Sequence, residues 1–211
     1  MRTVIIGGGG HAKVVIDSFR RAYPECELVG VVDDCPQLSG GKVLGVPVIG
    51  HLAMLGHIRD SVDFAFIAIG DNQIRESIAL KIRHLQFDFP VLVHPSAVVS
   101  SSVEIGAGTF VAAGTVLQPD IRVGAHSILN TGATIDHDCH IGDFVHICPG
   151  VHLAGAVSVG HSAHVGIGSS VIQTVSIGNS AYIGAGSTVV HDIGPGVLAY
   201  GTPCRVIRHC E

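Results

Sequence analysis

The run Asp136-His137-Asp138 is the part of this 211-residue chain best equipped for acid–base chemistry. An imidazole titrates near neutrality, and an adjacent carboxylate fixes its tautomer and raises its basicity. Such a pair can take a proton from an attacking amine or hydroxyl. On a strand, neighbouring side chains point to opposite faces, so at a turn only one aspartate would reach the ring. Both Asp136 and Asp138 stay open as that partner. Of the fourteen histidines, His126, His140, His146, His152 and His164 read singly as surface side chains. Cys139 and Cys148 flank the run and invite a thiol nucleophile, but Cys139 falls on a small inward position and suits core packing. The six cysteines show neither C-x-x-C nor zinc-like spacing, which fits reduced thiols in a cytoplasmic protein.

A second group of candidates lies near the start. Gly7-x-Gly9-x-x-Ala12 follows the apolar run 2–6, and Asp33-Asp34 closes another at 28–32. This is close to the dinucleotide fingerprint, in which a phosphate approaches backbone N–H groups at a helix N-terminus. NAD(P), a single nucleotide, or a loop that only turns the chain are all compatible with it.

These residues need elements to hold them. Counting in sixes from Val99 to Val189 gives sixteen positions, all aliphatic, with no skipped beat. Glycine often follows, as at Gly106, Gly124, Gly142, Gly160, Gly166, Gly178 and Gly184, and a small or β-branched residue recurs four places on. A period of six is neither helical nor that of a flat strand. It fits short strands joined by turns, whose coils must stack to bury one aliphatic side chain per repeat. Before it, strands are expected at 2–6, 28–32 and 64–69, and helices at 11–22 and 73–86. The spacing predicts an α/β domain over residues 1–92 and an all-β helix over 93–211.

Composition narrows the partners. Hydrophobic residues make up 47% and charged residues 14%, so a core is affordable and disorder is excluded. The net charge of −5 has no basic cluster, which argues against nucleic acid. No apolar run reaches the roughly 18–20 residues of a membrane span.

VIIGGGGHAKVV at the start, VVDD at 31–34, AIGDN at 68–72, HPSAVVS at 94–100, NTGATIDHDCHIG at 130–142 and GTPCRVI at 201–207 together resemble the NeuD/PglD-like sugar acyltransferases. The resemblance implies an abbreviated Rossmann-like parallel sheet followed by a left-handed parallel β-helix of hexapeptide repeats, assembled as a homotrimer with active sites between subunits. It implies acetyl-CoA as co-substrate, no metal, and N-acetylation of a UDP- or GDP-linked 4-amino sugar by direct transfer. His137 would be the general base and Asp138 its orienting acid, where the family more often has the longer glutamate. His146 would contact the acetyl or amino group. The Gly155 N–H would polarise the thioester, and the backbone of Ile167 and Ala185 would lie along the pantetheine arm. Gly8, Gly10, His11, Asp33, Asp34, Gly70 and Asn72 would hold the nucleotide sugar. Three rivals remain: sugar O-acetylation, a zinc lyase resembling γ-carbonic anhydrases, and a non-catalytic nucleotide-sugar-binding protein.

Overall fold

The computed structural model describes residues Met1–Cys210, which form two compact units, Met1–Pro95 and the described residues from Ser96 onward. In the first, strands β1 (Arg2–Ile6), β2 (Glu27–Val32), β3 (Lys42–Val43), β4 (Val46–Gly50) and β5 (Phe64–Ile67) form one sheet in the order β3-β4-β2-β1-β5. The pairs β1–β2, β1–β5 and β2–β4 are parallel, while β3–β4 is an antiparallel hairpin. Helices α1 (Gly10–Ala22) and α3 (Asn72–Ile82) follow β1 and β5, and a one-turn helix, α2, covers Leu55–Ile58. Val4, Ile6, Val32, Leu55, Ala65 and Ile67 make a continuous apolar core with Ile82 of α3. Each large side chain so buried contributes roughly 1.5–3 kcal/mol. On α1 the buried stripe is Ala12, Val15, Ile16 and Phe19, and Val14 faces outward at 42% exposed. Switching from strand to helix happens at glycine-rich ends (Gly7–Gly10 after β1, Gly70 after β5), which places both loops at the carboxyl edge of the sheet.

The second unit is the β-helix. Two-residue strands recur every six residues and stack in parallel register every eighteen, as in Thr134↔His152 and Ile135↔Leu153. Three faces result. The first contains the strands Val98–Val99 through Thr188–Val189, the second Glu104–Ile105 through Ser176–Ile177, and the third Phe110–Val111 through Tyr182–Ile183. Of the sixteen aliphatic positions, all from Val111 onward are buried, and Val99 and Ile105 in the first coil are half-buried. Small residues four places on carry hydroxyls that tie coils together. Ser127 Oγ donates to the Gly142 carbonyl (2.8 Å) and accepts from the Val145 N–H (3.0 Å). Glycine follows the aliphatic residue because coils approach closely there: a Cβ on Gly142 would lie 2.8 Å from the backbone nitrogen of His161.

Another period-six feature completes the coil. Residues 108, 114, 120 and every sixth to 186 have φ between 52° and 70°. Glycine takes six of these left-handed corners, and Asp120, His126, Asp138, Phe144, Ala156, Ser162, Thr174 and Ser180 take the rest. Aspartate tolerates this region better than most side chains. The array closes on a hairpin, Val197–Gly201 with Cys204–His209, the first strand of which pairs in parallel with Tyr182–Ile183.

Candidate active site

His137 and Asp138 occupy the edge between the first and second faces, where the chain turns after Thr134–Ile135. Asp138 is one of the left-handed corners (φ 62°), and that conformation brings its carboxylate back beside the preceding residue. The Nδ1–Oδ2 distance is 2.7 Å. The aspartate is therefore long enough, and the partner of the ring is Asp138. Both side chains stand out from the coil, 63% and 61% exposed. The hydrogen bond to Asp138, more than the nearby charges, raises the pKa of His137 above its usual 6.5. Nδ1 is thereby occupied, and Nε2 is the nitrogen presented outward.

One coil on, Gly155 lies directly under this ring. A Cβ there would come within 2.7 Å of Cε1 and 2.8 Å of Nε2. The His137 carbonyl accepts a hydrogen bond from the Ala156 N–H (2.9 Å). The N–H of Gly155 donates to no group among the described residues. His137, Asp138 and Gly155 thus form one column: an imidazole, its carboxylate and a backbone N–H with no acceptor among the described residues. Against it lies a polar hollow of about 310 Å³, bordered by Ser102, Glu104, Asp120, Arg122, Asp138 and His140. Sequence reading passed over this hollow.

The other residues expected at the site lie elsewhere on the prism. His146 is on the third face, opposite the His137 edge. Its Nε2 is 3.0 Å from the Asn130 amide nitrogen, and its ring meets that of His164 edge to face at 5.3 Å. Ile167 and Ala185 stack at the edge between the third and first faces, where the Ile167 carbonyl accepts from the Gly186 N–H (2.8 Å). One chain therefore does not bring His146, Ile167 and Ala185 together with His137. Cys139 is buried and donates to the Ala154 carbonyl (3.2 Å). Burial raises the Cys148 thiol to about 11, and both cysteines are poor nucleophiles as they stand.

The first unit carries a pocket of about 420 Å³ at the sheet's carboxyl edge. Gly7, Gly9, Gly10, His11, Asp33, Asp34 and Gly70 line it with Ile69 and Ile74. Nothing stands within 4 Å of where a Cβ on Gly9 or Gly10 would be, so a ligand can meet bare backbone at the start of the thirteen-residue α1. Gly8 is not on the wall, because its N–H donates to Asp33 Oδ2 (2.6 Å). The other oxygen of Asp33 accepts from the Cys35 N–H (2.7 Å), so both are engaged by backbone. Asp34 accepts from the Leu52 N–H through Oδ1 only (2.8 Å). Asn72 also lies behind the wall, accepting from Arg75 through Oδ1 (2.8 Å).

Arg75, 1% exposed, had no place in the sequence reading. Its guanidinium donates to the carbonyls of Ile69 (2.9 Å) and Gly70 (3.1 Å), which clamps the loop that lines the pocket. Burial, and then the Arg75 charge, lowers the pKa of His11 to about 4, so this wall residue is neutral at pH 7.

Among the described residues no helix is long and apolar enough to cross a membrane. The PglD N-terminal domain family matches residues 2–82. A perosamine N-acetyltransferase mutant from Caulobacter crescentus, solved in complex with CoA and GDP-perosamine, is 44% identical. It aligns over 99% of this chain and 97% of its own, with a TM-score of 0.93. The acetyltransferase domain of PglB from Neisseria gonorrhoeae is 37% identical over 98% of this chain and 99% of its own, with a TM-score of 0.90. UDP-N-acetylbacillosamine N-acetyltransferase of Bacillus subtilis is 42% identical over 110 residues, 52% of this chain, and the match spans half (50%) of that relative's length. With a full-length likeness at that identity, an α/β sheet carrying the glycine-rich loop and an unbroken β-helix, the chain belongs to the NeuD/PglD-like family of sugar acyltransferases.

Proposed function

We propose that the protein transfers the acetyl group of acetyl-CoA to the amino group of a nucleotide-linked 4-amino sugar. The observation that carries this reading is the column of Asp138, His137 and Gly155 on one edge of the β-helix. His137 Nε2 takes the proton from the attacking amine, while Asp138 holds Nδ1 and supports the imidazolium as it forms. The Gly155 N–H, which the chain leaves uncommitted, donates to the thioester oxygen as negative charge develops on it. Thiolate departs as the amide forms, so no acyl-enzyme is needed.

The nucleotide end belongs in the pocket of the first unit. Gly9, Gly10 and the start of α1 offer N–H groups to the diphosphate, and the free oxygen of Asp34 suits a sugar or base donor. Asp33 acts through the Gly8 loop that it ties down. Relatives support the pairing of ligands: GDP-perosamine and CoA occupy the Caulobacter protein together, and the Neisseria domain has been solved with acetyl coenzyme A. The acetyl-CoA groove forms between chains of a homotrimer, a reading supported by the separation of His146, Ile167 and Ala185 from His137 on one chain.

An acceptor screen with acetyl-CoA and thiol detection tests the reaction. Activity on nucleotide-linked amino sugars is expected, and activity on hydroxyl acceptors alone would refute the amine assignment. His137→Ala should lose turnover and keep nucleotide-sugar binding. Light scattering should give three times the mass of the chain, and a monomer that turns over would contradict the shared groove.

A further inference from the structure

We infer that His146, Cys148 and His164, on the third face of the β-helix, form a binding site for a thiophilic divalent metal ion, with zinc as the reference. One donor atom from each residue lies within 4.8 Å of the other two. The β-helix itself creates this spacing. His146 and His164 are register partners on adjacent coils, and parallel strands stand about 4.8 Å apart, so two outward imidazoles converge on one point. Cys148 Sγ lies 3.3 Å from His164 Nε2. In a tetrahedral zinc site, with Zn–S about 2.3 Å and Zn–N about 2.0–2.1 Å, sulfur and nitrogen stand about 3.6 Å apart.

The rings are ordered before any ion arrives. His164 stacks on Tyr182 with centroids 4.2 Å apart, and the Asn130 amide, which donates to His146 Nε2 in the empty site, turns away to free that nitrogen for the ion. Cys148 is 7% exposed, and both histidines are half-buried. Two imidazoles and a thiolate select zinc or cobalt over magnesium or calcium. On binding, the Cys148 S–H bond breaks, the proton passes to solvent, and the sulfur electron pair forms the bond to the metal with no change in oxidation state. Three protein ligands leave the fourth tetrahedral position for water or an external thiol.

A functional consequence rests on the proposed reaction, together with the contact of His146 with the acetyl or amino group that the family resemblance implies. An ion held here engages His146 and inhibits transfer, and the thiol of product CoA is a natural fourth ligand. The ion takes no part in catalysis.

The test uses the whole protein, stripped with EDTA and titrated with cobalt(II). One ion per chain is expected, with tetrahedral visible bands and a thiolate-to-cobalt band in the near ultraviolet. Cys148→Ser should lose the near-ultraviolet band, and the half-buried His164→Gln should weaken binding at least about tenfold. In parallel, zinc should inhibit acetyl transfer, and Cys148→Ser should tolerate at least about tenfold more of it. Octahedral spectra alone, or the same titration in both variants, would overturn the site. Site-specific binding without inhibition would uphold the metal site and overturn the placement of His146 at the acetyl group.

Discussion

Gly155→Ala separates the working geometry of the site from the stability of the fold. The φ of Gly155 lies outside the left-handed region, so alanine adopts this backbone at little cost. Its Cβ, however, would stand 2.7 Å from Cε1 of His137 and 2.8 Å from Nε2. Carbon atoms in contact rest about 3.5–4.0 Å apart, so the ring must retreat by about 0.8 Å or more. His137 is 63% exposed, so the ring can swing into solvent without disturbing the core. Urea unfolding should therefore shift by less than about 0.5 kcal/mol. Displacement of a catalytic group by about 1 Å can cost on the order of 100-fold in rate. Thiol release from acetyl-CoA at saturating acceptor should show kcat down by about that factor. A folded Gly155→Ala protein with kcat within about twofold of the parent would refute the assignment of the imidazole above Gly155 as the base.

Three more outcomes follow from the same contacts. In the proposed reaction neutral His137 takes the proton, so kcat/KM should rise with pH through its pKa, which Asp138 holds above 6.5; Asp138→Asn should move that limb to lower pH and cut the plateau at least about tenfold. His11 takes its proton near pH 4 when folded and near 6.5 when unfolded. Between those values the unfolded chain binds more protons, so stability falls as the pH falls, by about 3 kcal/mol in full. Urea midpoints from pH 7 to 4 should show this loss in the parent and a smaller one in His11→Gln. Thr174, β-branched and exposed, sits at φ 61°; Thr174→Gly should raise stability by about 0.5–1 kcal/mol in urea, after the entropy of the extra glycine is subtracted.

The β-helix was legible in the sequence because one aliphatic residue per repeat is a physical requirement of the coil, and Val99 to Val189 meet it without a gap. The left-handed corners were harder to read. Glycine fills only six of them, and residues as unlike as Phe144 and Asp138 fill others, since the corner fixes backbone shape more than side-chain type. A period of eighteen would have exposed the polar hollow, for Glu104, Arg122 and His140 are register neighbours. Asp138 was legible as a partner from its position beside His137, while its reach depended on the corner. Asp33 was legible as an acid at a strand end, but its commitment to Gly8 and Cys35 depends on tertiary geometry. The β3–β4 hairpin was overlooked although Leu44-Gly45 is a two-residue turn between Val43 and Val46, because Pro47 weakens the strand signal. Arg75 gave no signal, since one arginine on an amphipathic helix ordinarily reads as solvated.

In a stacked array each coil touches only its neighbours, so structure is lost by propagation from the two ends. His137 belongs to a middle coil, with Val98–Val99 near the start of the stack and the Val197–His209 hairpin closing it. Amide hydrogen exchange should therefore be slowest around Ile135 and Leu153 and fastest in the terminal coils. His137 is insulated from end fraying by simple distance along the stack, and insertions or losses of whole coils at either end would leave it in register.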